Sequence, residues 1–67
     1  MKKLSVSLSG HQTSISLEPE FINAIRDIAI ATNKPVAKII DEIDEKRAIG
    51  TNLSSAVRIY VLKYFRK

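Results

Sequence analysis

The chain has 67 residues and a net charge of +4, a length that suits one small domain over residues 1–67. It contains no cysteine and one histidine, which excludes disulfides and leaves no ligand set for a structural metal ion, so we expect no cofactor. A domain of this size buries only about 60% of its unfolded surface, and we therefore expect a second copy of the chain to complete the core.

The positive charge is concentrated at the two ends of the sequence. Residues 1–17 carry Lys2 and Lys3 without an acid, residues 51–67 carry four bases without an acid, and the middle holds seven acids against five bases, which gives +2, +4 and −2. This distribution is typical of a protein that turns one surface toward a polyanion. Solvated terminal charges explain it about equally well, so charge alone leaves nucleic-acid binding open.

Residues 1–11 form a leader in which Leu4, Val6 and Leu8 alternate with serines. The serines interrupt any signal-peptide core, and no apolar run is long enough to cross a bilayer, so we expect a cytoplasmic protein without a membrane partner. Two interpretations of the leader remain open, a strand that turns back through Ser9 and Gly10 or a mobile basic arm. His11 lies in the presumed turn, where it is expected to be a polar loop residue and not a ligand or a catalytic base.

Residues 12–17 are predicted to form a β-strand because their polar and apolar residues alternate. One face, suited to a core, consists of Thr13, Ile15 and Leu17, and the other, suited to hydrogen bonding, consists of Gln12, Ser14 and Ser16.

Three helices are predicted after this strand, over residues 19–32, 36–48 and 53–65. Pro19 is suited to a first helical position, Asn33 to a left-handed cap, Gly50 to a helix end and Asn52 to an N-cap. Each helix has an apolar stripe at helical spacing: Phe21, Ala24, Ile25, Ile28, Ala29 and Thr32; Val36, Ile39, Ile40 and Ile43; and Leu53, Val57, Tyr60, Val61 and Tyr64.

Other residues of the helices lie off these stripes. Ile30 is expected to be an exposed apolar residue, and the acidic run of residues 41–45 is more typical of a solvated face than of a metal site. Ile59 and Leu62 make the third helix apolar on a second side, where a protein partner is a further possibility. The chain lacks a cysteine, a histidine with an acidic partner and a glycine-rich loop, so an enzyme is the least favoured class.

The order of strand and helices resembles the ribbon-helix-helix family of DNA-binding repressors, with residues 13–17 leading into Glu18, Pro19, Glu20 and Phe21. Residues 7–11 and 52–56 are similar to motifs of a small bacterial subfamily with a third helix. The resemblance implies a mainly α fold with one short β ribbon, built as an intertwined homodimer with an extra C-terminal helix. The implied dimer core consists of Thr13, Ile15, Leu17, Phe21, Ile25, Ile28, Ile39, Ile40 and Ile43.

The resemblance also implies a function, a transcriptional regulator that inserts a two-stranded ribbon from the homodimer into the major groove of double-stranded DNA. The implied base contacts are Gln12, Ser14 and Ser16. The implied phosphate contacts are Val36, Ala37 and Lys38 at the start of the second helix, with Lys2 and Lys3 of the leader. This sequence departs from the family in lacking basic residues on the strand face and in placing Pro35 at the second helix cap, where a hydroxyl residue is common.

The leader decides between two functional interpretations. If it is a mobile arm, the major-groove model holds. If it pairs with residues 12–17 in each subunit, the dimer presents four strands, which are too wide for a groove about 12 Å across. The alternative is then a protein-interaction module on the same fold, an adaptor or an antitoxin-like protein, that uses the serine-rich strands or Ile59 and Leu62 of the third helix.

Overall fold

The computed structural model describes residues 1–8 and 10–66. Its elements, in chain order, are β1 (Lys2–Leu8), β2 (His11–Leu17), α1 (Pro19–Thr32), α2 (Val36–Lys46) and α3 (Leu53–Phe65). Ser9, one residue of the predicted turn, and Lys67 lie outside the described residues. The architecture is a two-stranded antiparallel ribbon followed by three helices, which confirms the predicted fold class, mainly α with one short β ribbon and an extra C-terminal helix.

The leader is a strand and not a mobile arm. β1 pairs with β2 along its whole length, from Lys2 opposite Leu17 to Leu8 opposite His11. Gly10, in the connection, has a φ of +83°, a conformation that glycine adopts without a steric penalty. His11 therefore begins β2 instead of lying in the turn, because the turn is shorter than the sequence predicts.

The ribbon is buried on one face only. The inner face packs on the helices and includes Val6, Leu8, Ile15 and Leu17, all of which are buried. Thr13 shares this face by alternation and is exposed in the single chain, so its place in a dimer core stays a prediction. It borders an open hollow between β2 and the α2–α3 connection, which Ser14 and Ser16 also line.

α1 begins and ends at the predicted residues. Asn33 adopts the left-handed conformation with φ 56°, and the N–H of Lys34 donates to the carbonyl of Ala29 at 3.0 Å, which closes the last turn. The buried face is wider than the predicted stripe because α1 packs against β2, α2 and α3. It includes Ile22, which the periodicity missed, whereas Phe21 is only half-buried.

α2 ends at Lys46, two residues before the predicted end at residue 48. Arg47 has extended backbone angles, and its guanidinium bridges Asp44 (Nη2 to Oδ1, 2.7 Å) and the carbonyl of Thr51 (3.0 Å). Gly50, the predicted stop, instead supplies a φ of +91° in the turn that the N–H of Thr51 closes on Ala48. Arg47 therefore organises the connection to α3.

α3 begins as predicted, with the Asn52 side chain accepting a hydrogen bond from the N–H of Ser55 at 2.8 Å. Val57 and Val61 of its main stripe are buried. Its second side is open, with Ile59, Leu62 and Phe65 exposed by 48%, 53% and 59%.

The hydrophobic core is closed within one chain. Seven of the nine residues predicted to form a dimer core are buried without a partner: Ile15, Leu17, Ile25, Ile28, Ile39, Ile40 and Ile43. β1 and α3 provide the cover, since β1 packs on α2 while α3 packs on α1, α2 and β2. The small size of the chain therefore does not require a second subunit to bury these residues.

Candidate nucleic-acid interface

The ribbon has a polar outer face made by both strands. Residues in register share a face, and the alternation places three pairs opposite the core: Lys3 with Ser16, Ser5 with Ser14, and Ser7 with Gln12. We call these six residues the outer ribbon face. Five are exposed and Ser16 is half-buried. The predicted base contacts Gln12, Ser14 and Ser16 therefore lie together, and the register adds Lys3, Ser5 and Ser7 to them.

This face has a composition suited to nucleic acid. Serine hydroxyls donate and accept hydrogen bonds, a glutamine amide does both in a planar arrangement, and lysine brings a positive charge. None of the six residues is acidic, and neither is any other residue from 1 to 17. The short serine side chains also let a binding partner approach the backbone of the ribbon closely.

The structure separates Lys2 from Lys3, which the sequence grouped as phosphate contacts of an arm. Both belong to β1, and neighbouring residues of a strand point to opposite faces. Lys3 lies on the outer ribbon face, whereas Lys2 pairs with Leu17 on the inner side, where it is exposed at the beginning of the strand. Only Lys3 is placed beside the predicted base contacts.

The start of α2 is the other predicted phosphate site, and some backbone N–H groups there have no helical acceptor. Pro35 is the N-cap and offers no side-chain hydrogen bond. The N–H of Lys38 donates to the carbonyl of Pro35 at 3.1 Å, so this donor is engaged within the chain, and Lys38 as a phosphate contact stays a prediction. Val36 and Ala37 precede it in the first turn, where N–H groups have no helical acceptor, and the Lys38 side chain is exposed.

Arg58 ties α3 to the junction between β2 and α1. Its Nε donates to Glu18 Oε1 at 2.9 Å and its Nη2 to Glu18 Oε2 at 3.3 Å, while the guanidinium carbon lies 5.9 Å from the centre of the Phe21 ring. A two-point contact of this kind fixes the arginine in orientation as well as in charge. Arg58 therefore positions the ribbon relative to α3 and is already paired.

The Glu18–Arg58 pair makes stability depend on pH. The hydrogen bond from Arg58 lowers the pKa of the Glu18 carboxyl below its ordinary 4.5. Because the folded pKa is the lower one, the stabilisation is present above about pH 4.5 and is lost as the pH falls through the folded pKa. We expect Glu18→Gln to lower the Tm slightly at pH 7. In acid, the difference in Tm between this variant and the unmodified protein should vanish. Circular dichroism measures both.

Glu20→Gln is the matched control for this prediction. Glu20 is exposed in the first turn of α1 and makes no ion pair within the described residues. An equal pH-dependent loss in both variants would contradict a specific role for the Arg58 contact.

The acidic run on α2 is partly paired and not simply solvated. Glu42 lies 3.2 Å from Lys34 Nζ, and Asp44 contacts Arg47 in an ion pair that is short but not a well-aligned hydrogen bond. Within residues 1–8 and 10–66, no group of three or more potential metal ligands is present. The run therefore contributes to the α2 surface and to its exit turn.

A model of the ribbon-helix-helix domain family matches residues 1–65, nearly the whole chain. The chain belongs to the ribbon-helix-helix family. Comparison with curated proteins and with solved structures found no match. Members of this family are typically non-enzymatic, dimeric DNA-binding proteins that regulate transcription. The match includes the leader and all of α3, so both belong to the domain.

Membership in the ribbon-helix-helix family leaves one difference to explain. The resemblance implied that residues 12–17 pair with their copy in a second chain, whereas β2 pairs with β1 of the same chain.

In the part of the chain that the structure describes, no helix has the length and hydropathy of a membrane span.

Proposed function

We propose that this protein is a sequence-specific DNA-binding regulator of transcription without catalytic activity. The observation that carries the proposal is the outer ribbon face, an exposed polar surface without acidic residues in a member of a family that generally binds DNA. The buried residues of the ribbon lie on its opposite face, and five of the six residues of the outer ribbon face are exposed, so most of this face is accessible to a duplex. A protein that regulates transcription works where the DNA is, and we therefore propose a cytoplasmic location.

We infer in addition that two chains act together. Ribbon-helix-helix proteins generally dimerise, and a symmetric dimer matches a palindromic operator. Since seven residues of the expected dimer core are buried within one chain, the dimer is proposed as an association of folded chains. Light scattering after size-exclusion chromatography measures the mass directly, and a mass of one chain at all accessible concentrations would refute this part.

The proposed DNA binding has a salt signature. Each phosphate neutralised by a lysine or arginine releases counterions, and log K falls with log salt by about 0.9 per contact. We expect affinity for random duplex DNA to fall steeply between 50 and 200 mM salt, by roughly tenfold or more. Fluorescence anisotropy with a labelled duplex measures it. A protein without salt-sensitive affinity for DNA would refute the proposal.

Lys38 tests the second part of the interface. If the N-terminus of α2 binds a DNA phosphate, Lys38→Ala weakens binding to all DNA sequences equally. It also lowers the slope of log K against log salt by about 1. Lys63→Ala, which removes an exposed lysine from α3, is the matched control. Equal slopes for Lys38→Ala and the unmodified protein would remove Lys38 from the interface without touching the proposed function.

The alternative function is a protein-interaction module, and two observations favour it. The leader pairs with β2 of the same chain, so a dimer that joined two such hairpins would present four strands, too wide for a major groove about 12 Å across. Ile59, Leu62 and Phe65 border an apolar cavity of about 300 Å³ that Phe21 also lines. The double substitution Ile59→Glu and Leu62→Glu would abolish binding of a protein partner to this surface. If this double variant keeps the mass and the DNA affinity of the unmodified protein, the alternative loses its support and the DNA-binding proposal gains it.

A further inference from the structure

A groove of about 390 Å³ lies between α2 and α3. Its walls are mainly apolar and are formed by Ile43 of α2, Ala48 of the connection, and Ala56, Ile59 and Tyr60 of α3. We call it the α2–α3 groove. Ile59 also lines the cavity beside Phe21, so the two hollows adjoin at this side chain. Ile49, which follows Ala48 in the chain, is fully exposed and adds to the apolar surface.

The rim of the α2–α3 groove is positively charged. Lys46 and Lys63 line the groove and are exposed, and neither makes an ion pair within the described part of the chain. The other charged residues of the groove, Glu42 and Arg47, are each held in an ion pair with another side chain, at 3.2 Å and 2.7 Å. α3 contains no acidic residue. Apolar walls with two lysine ammonium groups complement a partner that is both apolar and anionic.

The walls of the groove favour a helical partner. We propose that the α2–α3 groove binds an acidic amphipathic helix of a partner protein. The backbone groups of α2 and α3 are hydrogen-bonded within each helix, so an extended segment would find no strand edge to pair with. A docked helix satisfies its own backbone and contributes side chains only. The α3 wall runs from Ala56 to Lys63, about two helical turns or roughly 10 Å, which suits apolar side chains at i, i+3, i+4 and i+7 of the partner.

The charges at the rim disfavour a second copy of this chain as the occupant. In a symmetric dimer the same patch lies on both sides of the interface, so Lys46 and Lys63 of one chain would face those of the other. Like charges across an interface repel each other. The inference goes beyond the proposed DNA binding and does not depend on it, because no residue of the groove belongs to the outer ribbon face.

Two labelled synthetic peptides test the inference on the full chain. One is a helix of about 18 residues with leucines at i, i+3, i+4 and i+7 on one face and glutamates and alanines elsewhere. The matched control peptide has lysine in place of each glutamate. Fluorescence anisotropy is expected to show saturable binding of the acidic peptide, with the basic peptide about tenfold weaker or more.

Three variants show where the acidic peptide binds. Ile59→Glu places a carboxylate in the groove wall and Lys63→Glu reverses a charge at the rim, so each is expected to weaken binding about tenfold or more. Lys3→Glu changes the net charge by the same amount as Lys63→Glu, but on the outer ribbon face, and is expected to weaken binding less than about twofold. All three side chains are exposed, and a Tm for each variant checks that it is folded.

The opposite results overturn the inference. Equal weakening by Lys3→Glu and Lys63→Glu would mean that the peptide senses only the overall charge, and equal binding of the two peptides would remove the preference for acids. A lower mass of Ile59→Glu than of the unmodified protein in light scattering would show that a second copy occupies the groove. A protein that binds DNA with the expected salt dependence but binds no acidic peptide would reject the groove and leave the proposed function intact.

Discussion

Replacing Ile25 by alanine is expected to unfold a large part of the protein at room temperature. Ile25 lies in the middle of α1 and is fully buried. Isoleucine-to-alanine substitutions in a core cost about 2–5 kcal/mol, because transfer energy is lost and a cavity remains. A domain of this length has a total stability of about 3–10 kcal/mol, so the loss is comparable with the whole. Urea unfolding followed by circular dichroism measures it.

Ile30→Ala is a matched control, because the same substitution is made in the same helix at a side chain that is 80% exposed. We expect a change of at most about 0.5 kcal/mol there. Similar losses at both positions would mean that the described core is not the stabilising one. A fully buried Ile25 within one chain also predicts that the protein stays folded at protein concentrations too low for two chains to associate, where the urea midpoint no longer depends on concentration. Unfolding of the unmodified protein on dilution to single chains would show that a partner completes the core.

Placing a carboxylate on the outer ribbon face is expected to abolish useful DNA affinity. Ser14 is exposed at the centre of this face, opposite Ser5. In Ser14→Asp, a negative charge approaches the base edges and phosphates of the groove, and like charges across an interface cost several kcal/mol. Since about 1.4 kcal/mol is tenfold in affinity, we expect a loss of about 100-fold or more. Anisotropy titrations at fixed salt measure it.

Asn23→Asp controls for the change in net charge. It also lowers the charge from +4 to +3, but at an exposed position of α1 that is not part of the outer ribbon face. We expect its affinity for DNA to fall less than about threefold, because salt screens a solvent-exposed charge outside the interface. Equal losses in the two variants would mean that DNA senses only the overall charge of the protein.

Local signals in the sequence were sufficient to predict both ends of α1 and the start of α3. Pro19, Asn33 and Asn52 act through their own backbone or side-chain chemistry within a few residues, and the helix boundaries they predict are those observed. The predicted end of α2 was wrong. The observed end depends on the contacts of Arg47 with Asp44 and Thr51, and hydrophobic periodicity does not encode such contacts. Ile22 was missed for a similar reason, since its burial depends on how many elements surround α1.

The ribbon shows where sequence reasoning stops. The alternation of Leu4, Val6 and Leu8 with serines was visible, but a strand and a mobile arm were both compatible with it. Only the register with β2 shows that Ser5 and Ser7 share a face with Ser14 and Gln12. Pairing is a non-local property, so half of the outer ribbon face could not be assigned from the residues alone.

The most direct test of the central claim is a nuclear magnetic resonance titration of the labelled protein with duplex DNA. Backbone amides and the Gln12 side-chain amide report contact residue by residue. The account predicts that the largest salt-sensitive shifts fall on the outer ribbon face, on β1 as well as β2, with little change at Ile59 and Leu62 of α3. Shifts confined to α3, or no shifts at low salt, would contradict it.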